Sequence, residues 1–400
     1  MAVAIVGGGV VGLTAAVALH EAGLEATVYD RVDDVAAAQI GAGLGLAFNA
    51  TRVLRRLGLL DRLQDVGAPL ERFEFRSWNG KLLSHWGVPE GEAQFGVTRK
   101  ALHELLVDAL PAEAVVCGKT CVGYEQDESA ATALFDDGTS ARSDVVVGAD
   151  GLRSTIRAQT LGDEPPRYAD FSVVRCLVPV SGDDPLPRGV FRMLWGRGAC
   201  IGMYHVAPGV VYPFGWWPGP EREHVEHGAR KEKLLERFGD WSPEVPKLIE
   251  GMREDEIHQT DIYDRPPAES WGEGRITLAG DAAHPMTFNM GQGACQGIED
   301  ALVLARCLAT EHDVPVALRR YEQERIPRTT KFTKDSARVA RMSLVDGAIA
   351  YRMRNIALRA VGRNIARGNK ILKIDAELPR AAATMSALAV ASLADALPVF

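Results

Sequence analysis

Three glycine-containing segments carry the residue types that could do chemistry. Gly7-x-Gly9-x-x-Gly12 follows the apolar run Ala2–Val6 and opens a second apolar stretch from Val10 to Ala22. In a strand–turn–helix context each glycine has its own task. Gly7 allows the tight turn, Gly9 lets the backbone approach a pyrophosphate, and Gly12 lets helix and strand pack closely. The helix N-terminus offers free N–H groups and about half a positive charge to phosphate oxygens. Asp30 ends the next apolar run, where a carboxylate accepts hydrogen bonds from adenosine ribose hydroxyls, and Arg31 stands beside it. The pattern specifies a dinucleotide without choosing which one. A bare glycine turn is the bland alternative, and the strand, helix and acid together outweigh it.

Two further segments narrow the choice. Asp150-Gly151-Leu152-Arg153-Ser154-Thr155-Ile156-Arg157 follows the strand-like Asp144–Val147. Asp150 suits a helix cap and Arg157 a structural ion pair; a capped turn alone is the competing reading. Gly280-Asp281-Ala282-Ala283-His284-Pro285 ends a strand-like run from Arg275 to Ala279 and continues through Gly291-Gln292-Gly293-Ala294 to Ile298-Glu299-Asp300-Ala301. Gly291, Gly293 and Ala294 leave backbone N–H groups free to meet a planar ligand edge at the start of a helix.

In this order and spacing the three segments resemble the class A flavoprotein aromatic hydroxylases, FAD-dependent monooxygenases related to salicylate, 6-hydroxynicotinate and urate hydroxylases. The resemblance covers roughly residues 1–165 and 270–360. It implies that Asp281 holds the ribityl chain of FAD and that Arg99, in Thr98-Arg99-Lys100-Ala101-Leu102, lies on the flavin linker or phosphate. It also implies that the loop Gly41–Leu46, with Gly43 at its centre, flanks the isoalloxazine ring. The chain departs from the family pattern at Phe288, where relatives carry proline. The implied activity uses NADH or NADPH as a transient reductant and O2 to hydroxylate a small aromatic or heteroaromatic molecule through a flavin C4a-hydroperoxide. Epoxidation or Baeyer–Villiger insertion on a polycyclic natural product is the alternative outcome.

These motifs need elements to hold them. Periodicity predicts helices over Val10–Ala22, Asn49–Leu63, Val97–Leu110 and Gln292–Ala309, and over 228–238, 316–325, 332–373 and 381–397. Val173–Val180, Val190–Trp195, Ala199–Val206 and Val210–Trp216 read as strands of a second sheet that residues 72–86 join. The periodic reading gives an α/β fold with an inserted β-sheet domain and C-terminal helices, and the resemblance implies that these are a Rossmann-like FAD-binding domain of the para-hydroxybenzoate-hydroxylase type and its substrate domain. The boundaries read as 1–71, 97–165 and 270–330 for the FAD domain, 72–96 and 166–269 for the substrate domain, and 331–400 for the helical segment.

Composition excludes other classes. The 400 residues carry a net charge of −8, which argues against nucleic acid as a partner. No stretch of about 20 uninterrupted apolar residues suggests a membrane span, and the N-terminus leaves no room for a signal peptide, so a cytoplasmic monomer or homodimer is expected. Six scattered cysteines without a Cys-x-x-Cys pair argue against a metal site.

The substrate side is less legible. Activating a phenol or ring N–H is aided by a base. His205 and Tyr212 are the leading catalytic candidates, with Arg192 and Tyr204 behind them. Strand alternation lets only one of Tyr204 and His205 face the cofactor. Ordinary core packing competes for each of these residues, and a loop-fixing role for His284.

Overall fold

A computed structural model describes residues 1–35, 42–182 and 184–365, with backbone alone from 360 onward. The helix expected over 381–397, and Gly41, lie outside the described residues. Short apolar runs become central strands, as burial on both faces favours. They form a five-stranded parallel sheet in the order Ile276–Leu278, Val145–Gly148, Ala2–Val6, Glu25–Tyr29, Val115–Val116. Because neighbours run the same way, the residues after the first four strands emerge along one edge: Gly280–Asp281, Asp150, Gly7 and Asp30.

Helix Val10–Glu21 is buried along most of its length and packs on helix Gly293–Thr310. Val11 fills a notch where side chains are missing. A Cβ on Gly280 would lie 2.7 Å from Val11 Cγ2, and one on Gly297 would overlap it. The first and third motifs are thereby locked together by packing.

The second large sheet runs His258–Asp264, Arg167–Arg175, Val210–Pro218, Cys200–Ala207, Val190–Trp195, Arg72–Ser77, Leu82–Gly87, with Val178–Pro179 added beside Val210–Pro218. It is antiparallel except where Val190–Trp195 meets Arg72–Ser77. Its outer face packs through Ile201, Met203 and Val211 on Leu234, Phe238, Leu248 and Ile249 of helices Arg230–Phe238 and Glu244–Gly251. Its inner face is aromatic, with Phe171, Trp195, Tyr204, Tyr212, Phe214 and Trp216. A small antiparallel sheet of Gly43–Leu46, Phe95–Thr98 and Ala68–Pro69 lies between the two large ones. Glycine allows that contact: a Cβ on Gly96 would overlap the His205 carbonyl, and one on Gly43 would lie 2.6 Å from Tyr212 Cγ.

Several elements depart from the periodic reading. The stretch Asn49–Leu63 divides into helices Phe48–Arg56 and Leu60–Val66, because Gly58 is left-handed at φ 71°. Residues 95–98 pair as a strand before Thr98 caps helix Arg99–Val107. Residues 314–343 form one helix despite Pro327. Proline forfeits a backbone hydrogen bond and disfavours helix at its own position, but the neighbouring Arg325 and Arg328 are pinned to the core.

That pinning is a buried charge network. Arg325 donates from Nε to Asp300 Oδ1 at 2.7 Å, from Nη1 to Glu299 Oε2 at 2.7 Å, and from Nη2 to the Gln296 carbonyl at 3.0 Å. Arg328 grips both oxygens of Glu299 at 2.7 and 2.9 Å. Asn49 Nδ2 also donates to Glu299, at 2.5 Å. No helix among the described residues is long and apolar enough to cross a membrane. Removing one partner from such a network strands an opposite charge in the core. The substitution Arg325→Met is therefore expected to cost about 3–5 kcal/mol, read as a lowered urea midpoint at unchanged m-value.

Candidate active site

The phosphate loop divides its glycines between packing and open space. Gly7 has φ 110°, and a Cβ there would overlap the Ala149 carbonyl; a Cβ on Gly12 would overlap the Gly7 carbonyl. Nothing lies within 4 Å of the corresponding position on Gly9. The Gly8 N–H donates to Asp30 Oδ2 at 2.5 Å, and Val32 N–H donates to Oδ1 at 3.0 Å. Asp30 thus ties the second strand end to the loop, while Arg31 is exposed next to it.

Asp150 holds the second motif. Its Oδ1 accepts from Ser154 Oγ at 2.5 Å and its Oδ2 from Thr155 N–H at 2.7 Å, while Ser154 Oγ accepts from Arg157 N–H at 2.8 Å. Burial outweighs these bonds and leaves the Asp150 carboxyl above its usual range. Arg157 does not form the expected ion pair. It donates from Nη1 to the carbonyls of Ala282 and Ala283, at 2.9 and 3.0 Å, and so ties the second motif to the third.

The third motif turns on Asp300. Its Oδ2 accepts from Gly280 N–H at 3.0 Å and meets His284 Nε2 at 2.5 Å. Burial alone would raise this carboxyl; His284 and Arg325 outweigh it and hold it at about 2. His284 also packs on Trp271, with ring centroids 5.3 Å apart, and fixes the turn. Asp281 is exposed by area, yet burial raises its carboxyl, against the pull of His284 and Arg99. A carboxylate on the floor of an open crevice reconciles the two facts. Gly293 lies beside it, with its Cβ position 3.8 Å from Asp281 Oδ1, and left-handed Gly291 opens onto free space. Ala294 is half-buried in the first turn of the same helix.

Arg99 reaches the crevice from the opposite wall. Burial lowers its pKa, Asp281 opposes that shift, and Arg175 adds to it. His103 Nδ1 meets the Arg99 carbonyl at 2.9 Å, and burial takes the imidazole down to about 4. Arg175, on strand Arg167–Arg175, was not singled out by sequence pattern. A lone arginine in a strand carries no motif, and only the pairing of Arg175 with Phe214 turns it toward Arg99 and Tyr212.

The substrate-side candidates separate by strand parity. Tyr204 and Tyr212 face inward and touch edge-on, with centroids 5.6 Å apart. His205 points outward, with Nε2 2.8 Å from Asp184 Oδ2, and is not brought together with Tyr212. Arg192 also lies outward, bound to Glu74 at 3.1 Å and Glu244 at 2.8 Å. Alternation across a pleated strand is the physical reason for both placements. Phe288 projects edge-on against Phe171, Phe214 and Trp216, adding a wall to the aromatic face.

What the site leaves unsatisfied suits an anionic, multiply hydrogen-bonding ligand. Arg99 Nε, Arg175 Nε and both amide atoms of Asn289 are buried without partners. Each such atom costs about 1–3 kcal/mol unless a ligand satisfies it.

Comparison with known proteins gives the ligand and the reaction class. The FAD binding domain family matches residues 1–180 and 245–336. The chain is 35% identical to the aurachin C monooxygenase/isomerase of Stigmatella aurantiaca, over 90% of this chain and 94% of that protein. It is 36% identical to the 3-amino-4-hydroxybenzoate 2-monooxygenase of Streptomyces cremeus, over 84% and 86%. The crystal structure of Klebsiella pneumoniae HpxO complexed with FAD and uric acid superposes with a TM-score of 0.86 at 27% identity, over 93% and 97% of the two chains. The chain belongs to the class A flavoprotein hydroxylase family. It is an FAD-dependent monooxygenase of aromatic or heteroaromatic small molecules.

Two outcomes follow from the geometry. Compared as flavin-free apoproteins, Gly9→Ala is expected to keep the wild-type thermal midpoint and Gly12→Ala to lower it, while both bind less flavin; equal apoprotein midpoints for the two would refute the division of labour. His103 titrates near 4 when folded and near 6.5 when unfolded. Its contribution, up to about 3 kcal/mol, is complete above pH 6.5 and lost as pH falls toward 4. His103→Gln should flatten the fall of thermal midpoint across that window.

Proposed function

We propose that this enzyme hydroxylates a flat, electron-rich phenol or nitrogen heteroaromatic, using NADH or NADPH as a transient reductant. The observation that carries the reading is the position of Tyr212. Its ring stands on the aromatic inner face, against Gly43, and its phenol interacts with Arg175 and Arg99. The named relatives support the substrate class, since aminohydroxybenzoate and urate are both small oxygen-bearing rings.

In this reading the loop Gly7–Gly12 and Arg99 hold the phosphates of FAD and Asp30 its ribose. Asp281 holds the ribityl hydroxyls, and Gly291–Ala294 meet the ring edge with backbone N–H groups. Bound there, FAD supplies the activation of molecular oxygen that no side chain provides. The remaining tasks belong to the protein. Phe214, Trp216 and Phe288 exclude water and stack on a flat substrate.

Tyr212 serves as a donor and not as a base. Burial raises its pKa above 10, and Arg175 and Arg99 only partly reverse that, so the phenol keeps its proton at neutral pH. Its O–H donates to the substrate oxygen, and the positive field of Arg175 and Arg99 favours the deprotonated, more nucleophilic ring.

A screen of phenols, pyridines, indoles and purines for stimulated NAD(P)H consumption tests the reading, with labelled O2 followed into product by mass spectrometry. A member of one of these classes should take up one oxygen atom. Tyr212→Phe should lower product formation by about tenfold to a hundredfold, while NAD(P)H oxidation continues. Full product yield in that variant would remove Tyr212 from the reaction.

A further inference from the structure

We propose that helix Ala348–Ile365 docks this enzyme on an anionic lipid surface. The helix has two unlike sides. Arg354, Asn355 and Leu358 are buried against the large sheet, where Arg354 donates to the Gly196 carbonyl at 2.7 Å and to the Ser343 carbonyl at 3.1 Å. Ile349, Met353 and Ile356 point the other way and are 77%, 65% and 62% exposed. Positions i, i+4 and i+7 form one continuous stripe on a helix. Scattered exposed apolar residues are normal on a protein surface, but three aligned on one helical face are a patch that needs covering.

Charge selects the cover. Residues 348–374 contain seven Lys and Arg and no Asp or Glu, a local charge of +7 in a chain of −8. The rest of the chain therefore carries −15. A second copy would bring its own basic segment against this one and be repelled. Arg352 is exposed, and neither it nor Arg359 has an ion-pair partner among the described residues. Both stand three residues after a stripe residue, so they border the stripe. An apolar stripe edged by unpaired arginines is the pattern of a helix lying in a membrane interface. Such binding holds when two weak signals combine. The apolar stripe is one of them, and the arginines that border it are the other. The partner is thus a lipid surface carrying acidic headgroups.

The test is co-sedimentation of the full-length, FAD-loaded enzyme with vesicles of phosphatidylcholine alone or mixed with phosphatidylglycerol. The enzyme should pellet with the mixed vesicles and return to the supernatant in about 1 M salt, where the screening length is about 3 Å. Arg352→Gln should lower partitioning about fivefold. The triple variant Ile349→Glu, Met353→Glu, Ile356→Glu should abolish it while retaining flavin absorbance, thermal midpoint and turnover without lipid. Failure to pellet with acidic vesicles overturns the proposal. So does undiminished pelleting of the triple variant, or a wild-type dimer in light scattering that the triple variant dissociates without any vesicle binding.

Discussion

One buried carboxylate orders the cofactor side of this molecule. Asp300 simultaneously accepts the Gly280 N–H, meets His284 and binds Arg325. The first two contacts fix the turn that presents Asp281 to the crevice. The third anchors the long helix Val314–Ser343 to that turn. Buried charges are costly unless each is fully paired and hydrogen-bonded. Glu299, Gln296 and Asp300 pair the Arg325 guanidinium, and Arg328 and Asn49 bind Glu299 in turn, so a displacement within this set exposes an unpaired charge. The crevice is therefore rigid for an electrostatic reason. That suits a site whose hydrogen bonds must be preformed before charge develops in it.

The same crevice is bounded on its far side by a sheet whose pleat sorts chemistry by parity. Odd and even residues of strand Cys200–Ala207 face different worlds. Tyr204 and Val206 join the aromatic wall; Met203 turns toward the outer helices and His205 toward Asp184. Glycines carry the two sheets into contact. Gly43 and Gly96 lack the atoms that Tyr212 and the His205 backbone would otherwise displace. Those glycines therefore serve sheet-on-sheet packing at the site as well as any approach to a ligand.

Local rules read the Asp150 cap correctly because a cap is made within one turn of chain. They misread Arg157, whose partners are carbonyls more than a hundred residues away. They missed Arg175 and Asn289, which belong to no periodic pattern and acquire meaning only from what surrounds them. They ranked His205 with Tyr212, because residue type suggests reactivity while register decides direction. They stopped one helix at 325 and started the next at 332, whereas the chain runs helical through Pro327, held by the arginine clamp on either side of it.

The sequence by itself determined the nucleotide-binding turns, the order of the three motifs and the family they define. Each depends on glycine, acid and apolar run at short spacing, where backbone geometry is local. Tertiary structure alone decided which aromatic and charged side chains share the crevice. That outcome rests on strand register, on long-range ion pairs and on where missing Cβ atoms let sheets touch, and no window of consecutive residues contains those quantities.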